Sequence, residues 1–164
     1  MDTITIRQAR AADAERLNEA LRHLSTHIGD THMATADMVR EHGFGPHPTF
    51  RGLLAESDGE VVGATIYSPL FSTAFGGAGV YVSDLWVAAS TRGAGLGRRL
   101  LAAVADDARA TWGAIFLKLT VYDTNADARA FYDRLEFQTA EGETVLRLDE
   151  TGLAALKTTR EQHR

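Results

Sequence analysis

Apolar and polar residues alternate over residues 3–7, which predicts a strand. Behind Asp13, a residue type that can cap a helix, Leu17, Leu21 and Leu24 recur at helical spacing. Residues 35–41 read as a shorter helix stopped by Gly43. Two apolar-rich runs, 50–56 and 61–67, flank Ser57-Asp58-Gly59-Glu60, whose Asp-Gly pair is a strong hairpin signal. Residues 80–87 give a third strand. A helix over about residues 95–110 turns Leu96, Leu100, Leu101 and Val104 inward. A strand over 114–122, a helix over 126–135 and short strands over 137–139 and 144–148 follow. From Thr151 onward the pattern gives a last helical turn and a polar tail. There is no internal repeat, so one α+β domain is expected over residues 1–150, with the turn and tail over 151–164.

Composition changes this picture little. With 164 residues, 45% hydrophobic and 24% charged, the chain can bury a core without metals or disulfides. It has no cysteine, which excludes a disulfide framework, a thiol nucleophile and thiolate metal sites. No apolar run reaches the roughly 18 residues of a membrane span, and the start MDTITIRQAR lacks a signal-peptide core, so the expectation is the cytoplasm and no membrane partner. The net charge of −5 argues against nucleic acid and for a cationic small molecule.

Residues 80–101, VYVSDLWVAASTRGAGLGRRLL, carry the chemistry. An apolar strand runs into a glycine-rich turn and then a helix, whose first N–H groups lack intrahelical partners and sit at the positive end of the macrodipole. An anion fits there. Gly93, Gly95 and Gly97 let phosphates approach the backbone, and Arg92, Arg98 and Arg99 add charge. The same pattern also serves an ordinary strand-to-helix connection, with glycine for tight packing. A P-loop is excluded because G-x-x-x-x-G-K-[ST] is absent, and a dinucleotide fingerprint fails where Arg98 or Leu100 replaces the last glycine.

What remains, R-x-x-G-x-G from Arg92 to Gly97, resembles the acetyl-CoA loop of the GNAT superfamily of N-acetyltransferases. A second block, residues 118–137 (KLTVYDTNADARAFYDRLEF), is similar to that superfamily's strand, asparagine and Phe-Tyr helix. Within it, the opening ITIRQARAADAERL, the run HGFGPHP, the strand YVSDLWV and the ending VLRLDETGLAAL resemble the diamine (spermidine/spermine) N-acetyltransferases. The resemblance implies a GNAT fold, with a central, mostly antiparallel sheet, a splayed pair of central strands and flanking helices. It implies acetyl-CoA as acyl donor, no metal, a small-molecule amine as acceptor and a homodimer. Backbone at Leu85, Trp86 and Val87 would meet the pantetheine arm. Arg92, Gly93, Ala94, Gly95, Leu96, Gly97 and Arg98 would hold the pyrophosphate, with Asn125 and Ala128 on the pantetheine or phosphate. Asn125 can equally be a helix cap.

An alkyl amine with a pKa near about 10.4 is mostly protonated at neutral pH, so something must accept its proton before it attacks a thioester. Asp84 interrupts an apolar strand and can do so or hold the ammonium; its alternative is a bond to neighbouring backbone at a strand bend. The leaving thiolate needs a proton, which a phenol can supply. Tyr132 stands where the family has its general acid, on a helix expected to aim Phe131 and Tyr132 to opposite sides; otherwise it is a core aromatic.

The diamine enzymes have an acidic pair where this chain has Ser83-Asp84, and an aromatic and a carboxylate where it has His27 and Ile28. A further family acid is missing from FSTAFGGAG, residues 71–79, whereas Glu141 matches a family substrate contact. Asp30 is the acid nearest the first helix end. The acceptor site is therefore expected to take a smaller or more apolar amine, with Gly76-Gly77-Ala78-Gly79 as a mobile loop closing over it. His23, His27 and His32 are spaced to invite a metal reading, but line the acceptor pocket more naturally. The alternatives are a protein lysine or N-terminal acetyltransferase, an antibiotic-modifying enzyme of the same fold, and a non-catalytic acyl-CoA sensor.

Overall fold

A computed structural model describes residues 3–158. The chain divides into two compact units, Met1–Ala130 and Phe131–Arg164. In the first unit strand β1 (Thr5–Gln8) precedes helices α1 (Ala14–Ile28) and α2 (Ala36–Phe44). Strands β2 (Arg51–Ser57), β3 (Glu60–Ser72) and β4 (Gly77–Val87) follow, then helix α3 (Leu96–Trp112) and strand β5 (Leu117–Leu119). The sheet order is β1-β2-β3-β4-β5, antiparallel except for the parallel pair β4 and β5. This is the mixed α+β architecture expected. No described helix is long and apolar enough to cross a membrane.

α1 covers one face of the sheet because Leu17 and Leu21, with Ala14 and Ala20, form its apolar stripe; they pack with Val39 of α2 on Leu54 and Ala64. Each leucine so buried contributes about 1.5–3 kcal/mol. α3 covers the opposite face through Leu96, Leu100, Leu101, Val104 and Ala108. A Cβ on Gly63 would come within 3.0 Å of Leu100 and 3.2 Å of Leu96, so glycine there sets how closely the first turn of α3 approaches β3.

Several local readings change. Asp13 precedes α1 but does not cap it; its carboxylate accepts from the Arg10 N–H at 2.8 Å and from both terminal nitrogens of Arg7 at 2.8 and 2.9 Å. The true cap in this region is Thr35, which accepts from the Met38 N–H at 3.2 Å to start α2. Gly43 lies inside α2 rather than ending it, because a Cβ there would stand 2.7 Å from the Phe50 ring. Residues 77–79 are not a mobile loop. They belong to β4 and pair with Leu70, Phe71 and Ser72 across a long hairpin. Glycine serves there because the Phe116 ring lies against Gly79 and Ile115 against Gly77, where a Cβ would overlap them.

The strand expected over 114–122 is regular only at Leu117–Leu119, because its pairing with β4 ends at Val82. The second unit takes over within helix α4 (Ala126–Arg134) and ends in helix α5 (Glu150–Thr158), started by the Asp149 carboxylate on the Gly152 N–H at 2.8 Å. The strands expected over 137–139 and 144–148 do not form. A strand needs a ladder with a neighbouring strand, and residues 137–139 and 144–148 enter none among the described residues; Val145 and Leu146 stay 76% and 87% exposed. The polar tail expected after the last helical turn lies in part, over residues 159–164, outside the described residues.

Candidate active site

β3 and β4 fall out of step between Ile66 and Tyr67: Tyr67 pairs with Val82 and Ile66 with Asp84, leaving Ser83 as an extra residue. Such a bulge reverses the alternation of side chains, because directly paired residues share a face. Val82 lies with Tyr67 on the α3 side. Asp84 lies with Ile66, and Trp86 with Ala64, on the side covered by α1 and α2. The bulge is pinned by the fully buried Thr65, whose hydroxyl donates to the Asp84 carbonyl at 2.8 Å.

Asp84 is half-buried, and burial pushes its carboxyl above the usual carboxylate range. The Ser83 hydroxyl and the His32 imidazole pull it back down, while Asp30 adds to the rise. The Ser83 hydroxyl is shared, since it also lies 3.3 Å from the Ile66 carbonyl.

The connection from α1 to α2 is tied at two points. The Tyr122 hydroxyl donates to the Asp30 carboxylate, 2.9 and 3.0 Å from its two oxygens. The His32 ring sits with Nε2 2.8 Å from Asn18 Oδ1 and Nδ1 3.0 Å from Ser25 Oγ. On α1, His23 stacks on Trp86 with ring centroids 5.2 Å apart. Among the described residues no group of three or more His, Cys, Asp or Glu is placed to hold a metal ion.

Between Ser83 and Val87 the outer edge of β4 has no ladder partner among the described residues. Its open backbone groups suit an extended, amide-bearing ligand. Past Val87, a short 3-10 turn (Ala89–Thr91) leads to Gly93 and Gly95, at φ 80° and 78°. Gly95 is the N-cap of α3 and offers no side-chain cap, so the first N–H groups of the helix stay open. A Cβ on Gly93 or Gly95 would meet nothing within 4 Å, so the space above is free and the dihedral alone demands glycine. Arg92 returns to the Val87 carbonyl at 3.2 Å and Arg99 to the Ile4 carbonyl at 2.9 Å, whereas Arg98 is exposed beside the open N–H groups. An oxyanion fits this cradle.

The sequence profile of the Acetyltransferase (GNAT) family matches residues 14–137. The chain belongs to this family. It is an acetyl-CoA-dependent N-acetyltransferase. It is 32% identical over 148 residues to the thialysine N-epsilon-acetyltransferase of Mus musculus, covering 84% of this chain and 86% of that one. The Sus scrofa enzyme of the same name is 30% identical over 145 residues, covering 82% and 84%. An integron cassette protein from the mobile metagenome of V. cholerae shares the fold, with a TM-score of 0.76 at 22% identity, covering 94% of this chain and 97% of that one.

Within the GNAT frame, Asp84 and the stretch from Leu85 to Arg98 form one continuous segment, strand into cradle. Leu96 is only 2% exposed and its side chain is core, so its backbone N–H is what it can offer a ligand. Asn125 caps α4, accepting from the Ala128 N–H at 3.2 Å, and its amide NH2 remains for a ligand. His27 is exposed in the last turn of α1 and Ile28 half-buried beside it. Sequence reasoning missed Thr65 and Tyr122. It also missed the polar partnership of Asn18, although an asparagine beside Leu17 in the apolar stripe signals a buried hydrogen bond.

In the second unit Tyr132 is half-buried, its ring 5.1 Å from that of Phe131 and 5.3 Å from that of Phe137. Phe131 and Tyr132 therefore do not diverge as helical spacing predicts. The chain folds back after α4 through Glu136 at φ 66°, and the Phe137 N–H reaches the Tyr132 carbonyl at 3.1 Å, gathering the three rings. Burial pushes the Tyr132 phenol upward, so it holds its proton at neutral pH. Glu141 is exposed next to Gly142.

Proposed function

We propose that this enzyme acetylates the primary amine of a small, lysine-like or diamine molecule by direct transfer in a ternary complex. The observation that carries the reading is the Ser83 bulge, which turns a half-buried carboxylate, Asp84, onto the α1–α2 face beside the open edge of β4. The name thialysine N-epsilon-acetyltransferase, borne by curated relatives of about this length, supports an amine of that kind.

Acetyl-CoA brings the acetyl thioester. Backbone of Leu85, Trp86 and Val87 orients its pantetheine arm as a strand would. Gly93, Ala94, Gly95, Leu96 and Gly97 offer N–H groups to the pyrophosphate, with charge from Arg92 and Arg98, and Asn125 and Ala128 meet the arm or the phosphates. Asp84 holds the incoming ammonium and takes its proton, which frees the nitrogen lone pair. Tyr132 gives its Oη proton to the departing thiolate. The likeness to the diamine acetyltransferases assigns His27, Ile28 and Glu141 to acceptor recognition. By its likeness to the diamine acetyltransferases the enzyme is a cytoplasmic homodimer.

The test is thiol release from acetyl-CoA with a panel of diamines, polyamines, lysine-like amino acids, aminoglycosides and lysine peptides, against a blank without amine. Release with lysine-like amines or diamines is expected. Release with peptides alone would make it a protein acetyltransferase, and binding of CoA without release for any amine would make it a sensor.

A further inference from the structure

The bulge at Ser83 arranges more of β4 than Asp84 alone. Directly paired residues share a face, so Ser68 with Tyr81, Ile66 with Asp84, and Ala64 with Trp86 form one row on one face of the sheet. Successive pairs in this row are two residues apart on β3, which is about 7 Å. The carboxylate therefore stands between two aromatic side chains, Tyr81 on one side and Trp86 on the other, and all three are half-buried. In an unbroken alternation Tyr81 and Asp84, three residues apart, would lie on opposite faces.

Both rings are held in place. The Tyr81 hydroxyl donates to Thr120 Oγ1 at 3.1 Å, reaching the chain just beyond the last β4–β5 pair, Val82 with Leu119. Its one polar atom is engaged there, so ring carbon is what it offers a ligand. The Trp86 indole stacks with His23, centroids 5.2 Å apart and planes 21° from parallel, and His23 Nε2 is 3.6 Å from a Glu19 carboxylate oxygen one turn back on α1. Rings fixed in advance lose little freedom when a ligand arrives.

We propose that Tyr81 and Trp86 are specificity-determining residues: aromatic walls on either side of Asp84 that select a primary amine carried on a bare alkyl chain, with a single positive charge along the part of the acceptor that meets them. This assignment rests on Asp84 as the partner of the ammonium and names the substrate class of that same site. An aromatic face attracts a cation and covers alkyl carbon as well, so it suits both an ammonium on Asp84 and the methylenes behind it. A second ammonium fares worse. Among the six residues of the row Asp84 is the one acid, and Asp30 of the α1–α2 connection already accepts from the Tyr122 hydroxyl at 2.9 and 3.0 Å. A ring face offsets only part of the penalty for taking a further charge out of water. A simple alkylamine or a lysine-like side chain meets these demands, whereas a polyamine with a charge every few atoms does not.

The experiment measures kcat and KM for an alkylamine, a lysine-like amino acid and a triamine at saturating acetyl-CoA, in the wild type, Tyr81→Leu and Trp86→Leu, with thermal melts alongside. The wild type is expected to favour the first two acceptors over the triamine by about tenfold in kcat/KM, and leucine at either wall to raise the alkylamine KM about fivefold while the triamine KM moves less. A second measurement needs no altered wall. Trp112→Phe leaves Trp86 as the one indole of the chain, and its emission should change as the alkylamine is titrated into the CoA complex. A wild type that favours the triamine, KM values that stay put or rise by one common factor in the folded leucine variants, or an emission that ignores the alkylamine would overturn the role of the two rings. Absence of thiol release from the wild type with every amine would instead overturn the functional reading, and this assignment with it.

Discussion

The hydroxyl of Thr65 is spent on the backbone of Asp84, 2.8 Å from its carbonyl oxygen, in a position with no solvent exposure. Replacing Thr65 by Val keeps the shape and removes the donor. We expect a loss of about 1 kcal/mol in stability, from urea unfolding, and a larger proportional fall in kcat than in acetyl-CoA affinity. Equal kcat in the folded variant would show that the bulge holds Asp84 without this bond.

Gly63 governs the approach of the anion cradle to the sheet. Gly63→Ala must push Leu96 and Leu100, at 3.2 and 3.0 Å from the new Cβ, and with them the first turn of α3. Weaker CoA binding, several-fold by calorimetry, should accompany a lower melting temperature. A destabilised protein with unchanged affinity would separate the cradle from this contact.

Tyr132→Phe removes the proton that the leaving thiolate is proposed to take while leaving the three-ring cluster intact. Turnover should fall by about 10²-fold or more with CoA affinity nearly constant. Turnover within twofold of the wild type would reduce Tyr132 to a packing residue.

Asp107 on α3 is a hub for the opposite face. It accepts from Arg51 Nε at 2.7 Å and Nη2 at 2.9 Å, from the Tyr67 hydroxyl at 2.5 Å and from Gln8 at 2.8 Å. Burial pushes its carboxyl up, yet Arg51, Tyr67 and Thr111 together hold it below the usual range. Asp107→Ala strands the other partners and should cost about 2–4 kcal/mol, against about 1 kcal/mol for Tyr67→Phe. Similar losses in the two variants would mean that Tyr67 alone carries the network.

Asp13 gives a signed pH test. The hydrogen bonds from Arg7 lower its carboxyl to about 2, against an ordinary 3.8. Because the folded value is the lower one, the stabilisation is fully present above about pH 4 and fades as pH falls toward 2. The gap in melting temperature between the wild type and Asp13→Asn should therefore be widest at neutral pH and close in acid. A gap independent of pH would assign the effect to shape and not to charge.

Much of this was legible in the chain. The apolar stripes of α1 and α3 set their buried faces, and Asp58-Gly59 set the turn between β2 and β3, where both residues have positive φ. The cradle was legible because glycine and arginine act there through local backbone and charge. What depended on a distant neighbour was not. Gly43, Gly77 and Gly79 read as breaks until Phe50, Ile115 and Phe116 are seen lying across them. Residues 144–148 alternate like a strand, but alternation does not supply a partner. Asp84 was found as a chemical type, while the face it occupies follows from a register that only pairing reveals.

Position 83 matters through register. With Ser83 set aside as the extra residue, Asp84 and Trp86 stand opposite Ile66 and Ala64. A slip of one place that seated Ser83 opposite Ile66 would keep every letter of the chain and swing Asp84 and Trp86 to the α3 side together. Two arrangements of one sequence thus differ by a single step along the ladder, and only one of them owns an acceptor site.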